Sequence, residues 1–281
     1  MLENSEKILQ EAKINKYAVP QFNINNLEWT KNILERCEFY NKPVILGVSE
    51  GALKYMGGPH TVVGMVKGLI EDLKITIPVC IHLDHGTTYD VCKKVIDAGF
   101  TSVMIDASKH SLVDNISITK QVVDYAHERN VTVEAEIGHV GGVEDNISAT
   151  NQNADLEECI RMVTETNIDS LAPAIGTAHG LYIGDPVLDF DLMKNISNSV
   201  SQPLVMHGGS GVPDSDIKKA IDMGINKINI NTELQVSWHK GVKDFIATNP
   251  DSYDPRKVIG SGKANMDEII DEKIKLFFSI N

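Results

Sequence analysis

A chain of 281 residues, 42% hydrophobic and 23% charged, can bury a full core and shows no low-complexity bias, which excludes a disordered or fibrous protein. Lys+Arg 26 against Asp+Glu 39 leaves a formal charge of -13, which argues against a nucleic-acid or anionic-membrane partner but leaves room for a small anionic substrate held by local donors. No run approaches the roughly 18 apolar residues of a membrane span, the N-terminus has no basic-then-apolar leader, and Cys37, Cys80, Cys92 and Cys159 form no CxxC pair, so a cytoplasmic chain with free thiols is expected.

Short β-rich runs alternate with stretches of helical period along the whole chain. A leading helix near Ser5–Ile14 precedes a strand at Tyr17–Asn23 and a helix at Glu28–Tyr40, which Asn25 or Asn26 would start. The pattern continues with a strand at Val44–Ser49 and helix Thr61–Leu73, strand Val79–Leu83 and helix Tyr89–Ala98, then strand Ser102–Asp106 and helix Val113–Arg129. It resumes with strand Thr132–Ile137 and helix Asp155–Thr166, strand Ser170–Ile175 and helix Phe190–Ser197, and strand Leu204–His207 and helix Asp214–Met223, which opens after Pro213. Strand Lys227–Asn231 and helix Glu233–Thr248 complete the units, and a trailing helix lies near Asn265–Phe278.

Eight strand–helix units predict an α/β fold, a (β/α)8 TIM barrel occupying 1–281 as a single domain, with the extra N-terminal and C-terminal helices capping it or making subunit contacts. A doubly wound sheet would place a glycine-rich loop after the first strand, but Asn23 is followed by Ile-Asn-Asn-Leu27. One connection is long: from Gly138 to Asn153 about sixteen glycine-rich and polar residues separate the fifth strand from its helix, as a mobile lid or a tolerated surface insertion.

Parallel strands deliver their carboxyl-terminal residues to the face where chemistry occurs. His85, His179 and His207 all fall at or just past strand ends, and three imidazoles with an open fourth position suit a catalytic zinc. Any one of them alone would read as a hydrogen-bonded structural histidine. His60, His82, His110, His127 and His239 read as structural, and His139 in the long loop is open. Asp84 adjoins His85 and fits either a general acid/base or a carboxylate that orients an imidazole. Glu134 and Glu136 share a strand face, and Asp106 ends the fourth strand; buried there, they would act as alternate metal ligands or shape the field.

Gly208-Gly209-Ser210-Gly211 follows the seventh strand and Asn229-Ile-Asn231-Thr232 the eighth, where many barrels hold a phosphate, and Gly180 adds a close backbone approach. Lys227, at the start of the eighth strand, falls on the stability face, so no lysine is placed for Schiff-base chemistry. Zinc, a phosphate site and a carboxylate on the long loop together suggest reversible carbon–carbon cleavage of a phosphorylated ketose.

Together, His82-Leu-Asp84-His85-Gly86, Glu134-Ala-Glu136-Ile-Gly138, Gly141-Gly142-Val143-Glu144-Asp145, His179-Gly180, His207-Gly208-Gly209-Ser210-Gly211, Tyr17-Ala-Val-Pro-Gln-Phe-Asn23 and Tyr253-Asp-Pro-Arg256 resemble the class II, metal-dependent fructose-bisphosphate aldolase family over nearly the whole chain. The resemblance implies that His85, His179 and His207 bind catalytic Zn2+, that Asp84 handles the proton on the C4 hydroxyl or aldehyde oxygen, and that Glu144 removes the dihydroxyacetone-phosphate proton to give a zinc-stabilised enediolate. Glu136 and Asp106 match positions that bind a second divalent metal. Gly180, Gly208, Ser210, Asn229 and Thr232 are similar to residues that hold the ketose 1-phosphate, helped by a monovalent cation, Na+ or K+. Asn23, Ser49, Gly209 and Asn231 fall among the further substrate contacts. Arg256 resembles the arginine that reaches the other phosphate from a neighbouring subunit, which implies a homodimer or homotetramer.

Val143 and the run Gly176-Thr-Ala-His-Gly-Leu-Tyr182 lean toward the tagatose-bisphosphate branch, whereas Gly208-Gly209-Ser210 and Asn229-Ile-Asn231 look more like the fructose branch. Fructose 1,6-bisphosphate is therefore the expected substrate, with tagatose 1,6-bisphosphate or another ketose 1-phosphate as the alternative. A zinc hydrolase and a non-catalytic zinc-stabilised barrel are the rivals from other classes. The phosphate-type loops disfavour the first, and the open three-histidine count disfavours the second.

Overall fold

In the computed structural model the described residues are 1–144, 147–149, 152–180, 182, 184 and 186–280, with the side chains of 143, 144 and 147–149 excluded. The elements run α1 (Glu6–Asn15), β1 (Val19–Asn23), α2 (Leu27–Phe39), β2 (Val44–Ser49), α3 (Glu50–Tyr55), α4 (Pro59–Asp72), β3 (Val79–Gly86), α5 (Tyr89–Ala98), β4 (Ser102–Ile105), α6 (Leu112–His127) and β5 (Thr132–Ile137). They continue with β6 (Gly141–Glu144), β7 (Ile147–Ala149), α7 (Leu156–Thr166), β8 (Ser170–Pro173), β9 (Ala178–His179), α8 (Phe190–Ser199), β10 (Leu204–Met206), α9 (Asp214–Asp222), β11 (Ile225–Ile230), α10 (Thr232–Thr248), α11 (Pro255–Gly260) and α12 (Lys263–Phe277).

Eight strands close into a barrel in the order β1-β11-β10-β8-β5-β4-β3-β2. Adjacent strands are parallel, as the crossover helices require. Polar N-caps start several helices: Asn26, one of the two residues expected to start α2, accepts Trp29 N–H, and Thr88 and Ser111 likewise accept Val91 N–H and Asp114 N–H. No helix among the described residues is long and apolar enough to cross a membrane. All four cysteines are free and buried.

The two faces of each strand meet different surroundings. Outward-facing Phe22, Leu46, Ile81, Val103, Val133 and Leu171 join the main apolar cluster under the helices. Inward-facing positions form layers along the barrel axis, set by the two-residue period. The lowest is apolar: Val19, Ile45 and Cys80 are plugged by Ile8, Leu9 and Ala12 of α1. Lys13 secures that plug by donating to the carbonyls of Val200, Ser201 and Gln202 at 3.1, 2.8 and 3.0 Å. Two residues further along the strands the interior turns polar, with buried Gln21, His82, Glu134 and Lys227, and two further on stand Asn23, Asp84, Glu136 and Asn229.

At the far end of α12, Lys273 is buried and lies 3.0 Å from Glu233 of α10. The N-terminal helix thus caps the barrel, whereas α12 packs in the outer layer against α10 and α2. Three features depart from the sequence pattern. The six-residue helices α3 and α11 were not anticipated. The long segment after β5 contains the antiparallel hairpin β6–β7, whose first strand also pairs in parallel with β9. His60 sits in the first turn of α4 rather than in a loop.

Candidate metal centre and active site

β3 ends in an irregularity that decides the site. Regular alternation would send Asp84 and His85 to opposite faces. Instead the register with β4 slips between Leu83 and Gly86, and His85 adopts φ 51°, a left-handed conformation uncommon for a residue with a Cβ. Both side chains therefore enter one cavity of about 290 Å³, which Asp106, Glu136, His139 and His179 also line.

His85, His179 and His207 converge there, with one ring nitrogen from each within 4.8 Å of the others. Carboxylates choose the tautomers. Because a carboxylate oxygen only accepts, His85 donates Nδ1–H to Asp106 Oδ2 at 3.1 Å and His207 donates Nε2–H to Glu134 Oε1 at 2.9 Å. The other nitrogens, His85 Nε2 and His207 Nδ1, then face each other 2.9 Å apart. Two imidazole lone pairs at that distance repel unless a cation lies between them. Tetrahedral ligands held at about 2.0–2.1 Å from zinc stand roughly 3.4 Å apart, a small outward movement from this arrangement. Burial and the neighbouring imidazoles hold His179 well below the ordinary histidine range, and burial also lowers His207 against the opposing pull of Glu134. Neutral imidazole is the form that ligates.

Asp84 is fixed from both sides: Asn23 Nδ2 donates to Oδ2 at 2.8 Å and Asn229 Nδ2 to Oδ1 at 3.4 Å. Burial pushes its carboxyl up, but His85, His207, Lys227 and His82 outweigh that and hold it below the usual carboxylate range. A second group, His85, Asp106 and Glu136, offers ligand atoms equally close together. Here burial, then the charge of Asp106, pushes Glu136 up to about 8, and its Oε2 has no hydrogen-bond partner. An orphaned buried carboxylate oxygen beside a histidine and a second carboxylate suits a cation.

The glycine-rich loop after β10 lies against the His179 segment: a Cβ on Gly208 (φ 66°) would strike the Ala178 carbonyl. Tyr182 Oη accepts Ala178 N–H at 2.9 Å and donates to the Gly208 carbonyl at 2.8 Å. Ser210 Oγ accepts the N–H groups of Asn231 and Glu233 at 3.2 and 3.3 Å, so it caps the start of α10, while Thr232 forms its first residue. Gly209 donates to the Asn229 carbonyl at 3.1 Å, and Gly180 follows His179 at φ 91°. Ser49 caps α3 and lines the cavity.

The structure thus brings together Asn23, Ser49, Asp84, His85, Asp106, Glu136, His179, His207 and Asn229, with the 208–211 and 231–232 segments alongside. Arg256 does not join them. It is 89% exposed on α11 and paired with Asp254 at 2.9 Å. The side chain of Glu144, and Asp145 beside it, lie outside the described residues. Lys227 corrects the sequence reading. It is not on the stability face at a strand start but in the middle of β11, 1% exposed inside the barrel and paired with Glu134 at 2.7 Å. That pairing also takes Glu134 out of the candidate ligand groups. Lys109 and Thr87 line the cavity without having been singled out, although their position just beyond β4 and β3 was the available signal. His139 lines it too, with Nδ1 3.0 Å from Ser108 Oγ.

A (β/α)8 barrel whose strand ends gather three imidazoles, buried carboxylates and a glycine-rich loop around one cavity defines a barrel enzyme with a candidate metal site. The family described as fructose-bisphosphate aldolase class-II matches residues 3–281. The chain is 53% identical over 279 residues to a fructose-bisphosphate aldolase of Geobacillus stearothermophilus, covering 99% of this chain and 97% of that one. It is 52% identical over 281 residues to one of Staphylococcus aureus, covering 100% and 98%. Among solved structures, the YdjI aldolase from Escherichia coli K12 superposes with a TM-score of 0.87 at 34% identity, covering 99% of this chain and 97% of that one. A fructose-bisphosphate aldolase from Campylobacter jejuni superposes at 0.83 and 25% identity, covering 100% and 96%. The chain belongs to the class II fructose-bisphosphate aldolase family, whose members are lyases acting on a phosphorylated sugar.

Proposed function

We propose that the chain is a zinc-dependent aldolase that reversibly cleaves fructose 1,6-bisphosphate to dihydroxyacetone phosphate and glyceraldehyde 3-phosphate, working as one catalytic barrel. The observation that carries this reading is the facing pair of ring nitrogens, His85 Nε2 and His207 Nδ1, 2.9 Å apart with their partner nitrogens committed to carboxylates. His85, His179 and His207 would hold the zinc, and His85, Asp106 and Glu136 a second divalent metal. Bound at the three histidines, zinc would supply Lewis-acid polarisation of the ketose carbonyl.

The remaining steps fall to side chains. In the condensation direction Glu144 takes the C3 proton of dihydroxyacetone phosphate, leaving an enediolate. The enediolate attacks the aldehyde, and Asp84, held by Asn23 and Asn229, hands a proton to the new C4 oxygen. Cleavage reverses both transfers. Gly180, Gly208, Gly209, Ser210, Asn231 and Thr232 line the path for the 1-phosphate, assisted by Na+ or K+, and the exposed Arg256 serves a neighbouring subunit of a homodimer or homotetramer.

The test is retro-aldol turnover by zinc-loaded protein on fructose and tagatose 1,6-bisphosphates, with and without chelator. Chelator-sensitive cleavage that prefers the fructose epimer is the expected result. A preference for tagatose would reassign the substrate, and chelator-resistant cleavage would remove the metal from the mechanism.

A further inference from the structure

Beneath the histidines the barrel holds an ion pair that the proposed reaction does not use. Lys227 Nζ lies 2.7 Å from Glu134 Oε2, with the side chains 1% and 2% exposed. Glu134 Oε1 accepts from His207 Nε2, and Ser170 Oγ donates to Oε2 at 3.4 Å. His82, the other titratable neighbour, has Nε2 4.0 Å from Oε2 while its Nδ1 pairs with Ser102 Oγ. Buried pairs of this kind lose as much in desolvation as they gain in attraction, and apolar residues of similar shape serve stability as well or better. Stability alone therefore gives no reason for charge at this depth.

We propose that Glu134 and Lys227 form one positioning pair for the metal: Glu134 fixes His207 in the tautomer whose Nδ1 faces His85 and His179, and Lys227 fixes Glu134. This rests on the reading that these histidines hold a metal. His207 is 2% exposed, so water is not at hand to orient its ring. The carboxylate determines which nitrogen carries the proton, because it can only accept. A carboxylate 2.9 Å from His207 would itself compete as a ligand if it were free to turn. The lysine holds Oε2 on the opposite side from His207, so the carboxylate spans the two partners and stays out of the cluster. The three residues come from β5, the end of β10 and β11, so the geometry is set by the barrel rather than by a loop.

Two charge-neutral double variants separate positioning from packing. Glu134→Leu/Lys227→Met removes the acceptor for His207, whereas Glu134→Gln/Lys227→Met removes the charge but keeps an oxygen that accepts. Zinc affinity, measured by competition with a chromophoric chelator, is expected to fall about 10- to 100-fold in the Leu/Met variant and only a few-fold in the Gln/Met variant. In the metal-free proteins, ring-nitrogen NMR shifts of His207 should report the Nε2–H tautomer in wild type and Gln/Met, and a mixture in Leu/Met. Equal zinc affinities in the two doubles, or an unchanged tautomer in Leu/Met, would overturn the proposal. Should Leu/Met not fold, a zinc affinity equal to wild type in the folded Gln/Met variant, which has lost the lysine that fixes residue 134, overturns it as well. A wild-type chain that bound no zinc would instead overturn the functional reading, and the tautomer spectra would still decide this one.

Discussion

Tyr182→Phe removes one oxygen atom and with it two links between the loops that carry the candidate ligands. The hydroxyl accepts from Ala178 N–H, adjacent to His179, and donates to the carbonyl of Gly208, adjacent to His207. Each such bond contributes about 0.5–1.5 kcal/mol net, so the pair is worth about 1–3 kcal/mol, or about 5- to 150-fold in the population of the assembled site. The ring itself stays, and with it the contact over Gly211, where a Cβ would sit 3.2 Å from Tyr182 Cδ2. Nothing in the apolar core changes. The loss should therefore appear in binding as well as folding: zinc affinity and kcat/KM on fructose 1,6-bisphosphate each fall about tenfold, and the melting temperature falls by about 2–12 °C. A coupled retro-aldol assay, a chelator competition and a thermal melt measure the three quantities. If zinc affinity and kcat/KM both stay within about twofold of wild type, Tyr182 does not hold the loops together and the reasoning fails.

Glu144→Ala should slow exchange of the C3 proton of dihydroxyacetone phosphate by about 10²- to 10⁴-fold while leaving zinc content unchanged; normal exchange in the variant would exclude Glu144 as the base. Lys273→Met strands Glu233, which accepts Gly211 N–H at 2.5 Å, and should cost about 3 kcal/mol, near the lower bound for breaking a buried pair because Glu233 keeps some solvent. That loss corresponds to a fall of about 6–12 °C in melting temperature, and a shift below about 2 °C would show that the C-terminal helix does not brace the glycine loop. Burial pushes the thiols of Cys80, Cys92 and Cys159 up to about 12, and Cys37 higher still. No thiol should react quickly with a disulfide reagent at pH 8 until the protein is unfolded. By the same linkage the unfolded thiols release protons above about pH 8.5 while the folded ones retain theirs, so each lowers stability by about 1.4 kcal/mol per pH unit from there upward. Denaturant melts at pH 8 and pH 10 that gave equal stability would contradict this.

The barrel was legible because parallel strands buried on both faces leave apolar runs, and the helices between them carry caps and a helical period. What escaped had physical causes. Helices α3 and α11 are six residues each, too short for a period to emerge. The β6 strand is hidden by glycine: Gly142 adopts φ 100° with its Cα against the backbone of His179, where any side chain would collide. In sequence that glycine signals a loop, whereas in the fold it permits a strand to pack against a candidate ligand. Lys227 was misplaced because the last barrel strand begins two residues earlier than the pattern suggests. Such a shift preserves the face but changes the depth, and a lysine assigned to the rim becomes one inside the barrel. The sequence places Asp84 and His85 at one strand tip, but the backbone device that turns both into one cavity, a register slip with His85 at φ 51°, is announced by no residue type.

Regular alternation in the rest of the barrel explains how the site is supported. Along each contributing strand, residues two apart share the interior face, so a residue at the site has a same-strand neighbour one layer below it. His82 lies below Asp84, Glu134 below Glu136 and Lys227 below Asn229. The lower residues do not reach the cavity, yet they contact one another and the candidate ligand His207, through Glu134 with Lys227 at 2.7 Å and with His207 at 2.9 Å. Of the upper residues Asp84 and Glu136 line the cavity, and Asn229 acts on it through its hydrogen bond to Asp84. A substitution in the lower layer should therefore act on chemistry through the orientation of an upper one, and its effect should be on metal affinity and kcat more than on substrate KM. If instead Lys227 and Glu134 variants raised KM while leaving zinc affinity intact, the two layers would be independent and the lower one would be packing alone.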